Sequence, residues 1–134
     1  MIKEYKEGDV VLARYISSGG AWGEGLNFFS NENDYVQVGT WGYNQGKELL
    51  AHAHNNAPRS VLWTQEVLYV RAGKILAEIY NSRAIKIAEF VASEGDVVIL
   101  LAGGHGYKIL EDGTQVLEVK NGPYLGADVD RVRL

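Results

Sequence analysis

Short apolar runs, broken by Gly, Asn, Asp or Ser at intervals of about eight to twelve residues, set the rhythm of this chain and narrow its architecture. Runs of that length leave little room for long amphipathic helices, and their spacing predicts an all-β sandwich or barrel of about nine or more short strands. The expected strands are Val10–Tyr15, Tyr35–Tyr43, Glu48–His54, Val67–Arg71, Lys74–Tyr80, Ala84–Val91, Asp96–Leu101, Gly106–Leu110 and Gln115–Lys120. Turns are expected at Arg71–Gly73, Asn81–Arg83, Ser93–Gly95 and Glu111–Gly113. The EDG triplet between KIL and TQVLEV reads as a hairpin, because Asp-Gly supplies the positive φ of a tight turn. NSR stands in the same way between Lys74–Tyr80 and Ala84–Val91. GKELLAHAH also admits one turn of amphipathic helix, but its strand-like neighbours favour β.

At 134 residues the chain suits one domain, with a barrel core over about 35–120, an N-terminal strand and loops over 1–34, and a tail over 121–134. A core of this size folds without staples. The absence of cysteine excludes disulfides, zinc ribbons, iron–sulfur clusters and thiolate nucleophiles, so any metal must be held by His, Asp, Glu or backbone oxygen. Net charge is −4 and the basic residues are scattered, which argues against a nucleic-acid partner. The longest apolar run, Val97 to Ala102, is too short to span a bilayer, and MIKEYKEGDV lacks the apolar stretch of a signal peptide. A cytoplasmic protein without a membrane partner is the expectation.

His52 and His54 stand two residues apart, which on a strand puts both imidazoles on one face about 7 Å apart. Such a pair makes half of a metal site, since neutral imidazole is a common metal ligand, or else it is simply two half-exposed surface residues. The surroundings add to the first reading. Gly46 precedes the pair, Glu66 opens the run EVLYV, and Gly73 follows. Further on, Gly95-Asp96 begins an apolar strand that ends at Gly103-Gly104-His105.

The order Gly, His-x-His, Glu, Gly, then Gly-Asp and a third His resembles the two signature motifs of the cupin superfamily. The resemblance implies a single-domain jelly-roll β-barrel in which His52, His54, Glu66 and His105 meet around one divalent metal. The sequence departs from the usual pattern in places. The eleven residues between His54 and Glu66 form a longer interval, with NNAPRSVLW expected as a loop at the barrel mouth. Leu101 stands at the usual Pro, Ile109 at the usual Asn, and His105 arrives one residue early. A one-residue shift turns a side chain to the other sheet face, and a bulge at Gly103-Gly104 would restore it. HNNAPRSVLWTQEVLYVRAG, LLAGGHGYKILED and EVKNGPYLGADVDR resemble small single-domain cupins associated with sugar and surface-polysaccharide biosynthesis.

Three imidazoles and a carboxylate would leave open positions on an octahedral ion, and a ligand set without sulfur admits Fe, Mn, Ni, Co or Zn. Strand parity places Leu68 and Val70 inward with Glu66, and Tyr69 and Arg71 on the opposite face. Tyr107 shares the parity of His105 and is the expected catalytic residue, orienting a substrate or bound water, with either its phenol or a metal-bound water moving the proton, or else it is core filler with its hydroxyl at the rim. Arg59 is a candidate for gripping an anionic group, or an ordinary solvated loop cation. Trp63 and Trp41 stack on a sugar face or pack in the core, and Gln37 joins Arg59 and Trp63 as an expected substrate contact. Asp34, Glu32 and Glu24 read as surface-loop acids. The expected function is a metal-dependent isomerase, epimerase or dioxygenase acting on a small polar substrate such as a sugar. The alternative is a non-catalytic carbohydrate-binding or sensor module. A homodimer is expected from pairing of exposed strand edges.

Overall fold

The structure, a computed structural model, describes residues 1–134 and is all-β with antiparallel sheets. Ten strands form: β1 (Ile2–Glu7), β2 (Val10–Ile16), β3 (Gly25–Phe28), β4 (Gly39–Gly42), β5 (Glu66–Ala72), β6 (Lys74–Tyr80), β7 (Lys86–Ser93), β8 (Val97–Leu100), β9 (Gly104–Ile109) and β10 (Gln115–Lys120). Two four-residue helices, α1 (Ser18–Ala21) and α2 (Ala127–Asp130), complete the elements, and no helix is long and apolar enough to cross a membrane. The strands assemble as a five-stranded sheet in the order β1-β2-β8-β5-β10, a three-stranded sheet β7-β6-β9, and the small ribbon β3-β4.

The two larger sheets face each other across one core. Alternation drives this: β6 turns Ile75, Ala77 and Ile79 inward, while Leu68 and Val70 of β5 and Val98 and Leu100 of β8 meet them from the other side. β8 reads VVIL without alternation because it is buried on both faces. Its Val97 and Ile99 enter a second core with Ile16, Ala21, Phe29 and Leu101, roofed by the chain between β2 and β4. That roof is pinned by a buried cation: Arg14 on β2 pairs with Asp34 at 2.7 Å and with Glu4 at 3.0 Å. Asp34 is therefore a partner of a buried guanidinium, where the sequence suggested a plain surface-loop acid.

Several expected elements are corrected. The strand expected over Glu48–His54 does not form, and that over Tyr35–Tyr43 contracts to β4. β1 and β3 were not expected; β1 is rich in charge, buries only Tyr5, and is recognisable chiefly through its ladder with β2. The EDG turn reverses the chain with Gly113 at φ +74°, but it makes no hairpin. β9 pairs with β6 and β10 with β5, so this turn carries the chain from one sheet to the other. The NSR connection does join a true hairpin, β6 with β7.

Candidate functional site

At one end of the sandwich the two sheets part between β9 and β10, each an unpaired edge, and the inward residues there are polar. Glu66 is the first residue of β5 and lies directly opposite Lys120 of β10, so antiparallel pairing puts both on the inner face. His105 and Tyr107 of β9 lie opposite Ile79 and Ala77, which also makes them inward-facing. His105 reaches that face with no register shift in β9. Instead of a bulge, Gly103 just before the strand takes φ +71°, where an added Cβ would overlap the Tyr80 carbonyl.

The Glu66 side chain is only 7% exposed. Lys120 Nζ stands 3.1 Å from its Oε1, and His105 Nε2 stands 2.8 Å from its Oε2. The imidazole is close but not aligned for a hydrogen bond, so the buried Oε2 has no aligned donor. Burial alone would raise the Glu66 carboxyl; His105 and the Lys120 ammonium outweigh it and hold the group below the ordinary carboxylate range. The same ion pair raises the Lys120 ammonium. The Tyr107 ring lies 5.4 Å from the His105 ring, and its phenol is pushed upward first by burial and then by the charges of Glu66 and Glu118. Tyr107 therefore keeps its proton at neutral pH and is a hydrogen-bond donor rather than a base.

Neighbouring groups fix this geometry. Asn121 Oδ1 accepts from the Gln65 backbone N–H at 2.7 Å, and its Nδ2 donates to the Trp63 carbonyl. Gln65, itself buried, donates from Nε2 to the Leu101 carbonyl and accepts from the N–H groups of Tyr35 and Val36. A cavity of about 170 Å³ borders Lys120, lined also by Thr64, Asn121, Tyr124 and Asp130. A larger, wide-open groove of about 560 Å³ lies at Ser18, Trp22, Tyr69 and Gly95, on the far face of the five-stranded sheet. It holds none of the groups just described.

The other expected site residues lie elsewhere. His52 and His54 stand on an irregular, exposed segment with their rings 5.2 Å apart, and no group of three or more metal-ligating side chains comes together within the chain. Arg59 lies on the same segment and donates only to the Ala57 carbonyl. Trp63 donates from its indole to the Leu101 carbonyl at 2.7 Å, beside the mouth, with Tyr35 against its ring. Gln37 braces its own loop by donating to the carbonyls of Asn31 and Asp34. Trp41 lies on β4 beside Tyr43. Lys120, Gln65 and Asn121 were not foreseen. Lys120 shares a face with Glu118 on an evident strand, but only the β5–β10 pairing, which the sequence does not display, sets it against Glu66.

No protein-family model matches the chain, and no curated protein or solved structure matches it significantly.

Proposed function

We propose that the mouth between β9 and β10 is the functional site of a cupin-like jelly roll that acts on a small polar substrate such as a sugar. The observation that carries this reading is the buried Glu66 Oε2, left without an aligned donor and 2.8 Å from His105 Nε2. A buried carboxylate oxygen whose nearest donor is misaligned is under-satisfied, and a site for an incoming ligand explains such a group. The spacing also suits a divalent ion. Two ligands each about 2.1 Å from one ion, at a right angle, lie about 3 Å apart. Glu66 and His105 would hold such an ion from the body of the fold, with His52 and His54 supplying the other two ligands. When bound, the metal supplies Lewis acidity toward a substrate carbonyl or hydroxyl. Tyr107, kept as the phenol, donates a hydrogen bond or proton to a substrate oxygen beside it.

Lys120 favours a second reading. Its ammonium already neutralises Glu66, as suits a barrel that binds its sugar through hydrogen bonds and turns nothing over. Turnover separates the two. Protein reconstituted with Fe²⁺, Mn²⁺ or Zn²⁺ is offered a panel of sugars and sugar nucleotides, with thermal stability followed alongside. The enzyme reading predicts product formation that falls on the order of 100-fold in Tyr107→Phe. Stabilisation by a sugar with no product supports the binding module.

A further inference from the structure

Within the segment between β4 and β5, residues 43–62 make no hydrogen bond to the rest of their own chain. Every residue from Trp41 to Trp63 is exposed, including Leu50 at 82% and Leu62 at 77%. Between Tyr43 and Leu62 the hydrogen bonds stay within the segment: Lys47 N–H to the Asn44 carbonyl, Arg59 to the Ala57 carbonyl, and His52 Nδ1 with the Leu50 carbonyl. The body, meanwhile, presents four sheet edges, β1, β7, β9 and β10, of which β9 and β10 flank the mouth. β9 exposes Tyr107 and Ile109, and β10 exposes Leu117 and Val119. Unpaired N–H and C=O groups along an edge are a template for another strand. Between these edges lies Glu66 Oε2.

We propose that the chain works as a reciprocal dimer in which the 43–62 arm of one copy lies along the β9 edge of the other, completing each mouth in trans. Three observations commit the occupant to a second copy. The arm stands clear of its own body with its apolar side chains bare. It carries Lys47 and Arg59 against the single acid Glu48, a net positive charge within a chain of net charge −4. Two-fold exchange covers both arms and both edges at once, as an isologous interface does. Laid as a strand, the arm alternates Leu50, His52 and His54 on one face with Leu49, Ala51 and Ala53 on the other. With the first face inward, the two imidazoles of one copy approach Glu66 and His105 of the other. This last step rests on the metal reading above; the exchange of arms does not.

The absence of native cysteine allows a direct test. Ala51→Cys on the outward face of the arm and Lys108→Cys on the outward face of β9 are combined in one chain and treated with a short bis-maleimide. Exchange predicts a covalent dimer as the main product. A cross-link closed within one chain, or none, overturns it. A second experiment reads the shared site. Differently tagged chains carrying His52→Ala/His54→Ala and Glu66→Gln/His105→Ala are co-refolded, and the doubly tagged heterodimer is titrated with Zn²⁺. One intact site per heterodimer is expected, half the wild-type stoichiometry. If the wild type binds Zn²⁺ and the heterodimer none, ligand sharing in trans is overturned. If the wild type binds no Zn²⁺, the metal reading fails and the cross-link alone decides the exchange.

Discussion

Glu66 shows how much one side chain can organise. It sits at a strand end, opposite a lysine, beneath a histidine, and its burial makes each neighbour count. Removing Lys120 leaves a buried carboxylate with one partner fewer. Because Lys120 is itself partly exposed, Lys120→Met should cost about 1–3 kcal/mol in the presence of a chelator, less than a fully buried pair. If a cation binds Glu66, Zn²⁺ should return most of that loss, and chemical denaturation with and without the metal reads both effects. Gly103 is the other residue on which the site depends. Its positive φ and its closeness to the Tyr80 carbonyl turn His105 inward. Gly103→Ala should lower stability by about 2–4 kcal/mol and weaken ligand binding at the mouth together. Loss of stability with unchanged binding would show that β9 tolerates another entry.

Among the elements, the turn from β7 into β8 carries the most concentrated polar network. Asp96, buried, accepts from the backbone N–H groups of Ser18 and Ser93, each at 2.7 Å, and from the Tyr15 hydroxyl at 2.9 Å. It ties α1, β2 and the turn into one unit, so Asp96→Ala should cost about 3 kcal/mol, measurable by urea denaturation. Burial, and then the bond to Asp96, push the Tyr15 phenol up to about 12. The unfolded phenol ionises near 10, so the folded state favours the neutral form. That stabilisation is fully present below about pH 10 and is lost as pH rises toward 12, amounting to about 1–2 kcal/mol after solvent screening. Tyr15→Phe should show a flatter alkaline unfolding profile by circular dichroism. The sequence displayed Gly95-Asp96 as a motif but not this bonding, whose partners lie up to 81 residues away.

At the scale of the whole molecule, what was legible and what was not follow from where the determining contacts lie. Alternation in Lys74–Tyr80 and Gln115–Lys120, and the unbroken apolar run of β8, are local properties, and those strands appear where expected. Sheet membership is not local. The Asp-Gly turn after β9 announced a reversal truthfully and a hairpin wrongly, because pairing depends on strands far along the chain. Glu66 and His105 stand close together, with Tyr107 beside His105, but His105 faces inward without the bulge that its shifted spacing was expected to need. His52 and His54 do not join them, because the arm pairs with no edge of its own chain and forms no strand there. The dimer proposed from that arm predicts twice the chain mass by light scattering, and replacement of residues 44–61 by a short Gly-Ser linker should return the body to monomer.

The proposed function requires Glu66, His105, His52 and His54 to hold one metal ion together. Metal content by plasma mass spectrometry, on the wild type beside His52→Ala/His54→Ala and Glu66→Gln, addresses it most directly. A four-ligand site holds about one equivalent of Fe, Mn, Ni, Co or Zn per chain in the wild type and loses it in both variants. A wild type that stays empty after reconstitution, or a Glu66→Gln variant that retains its metal, would contradict it.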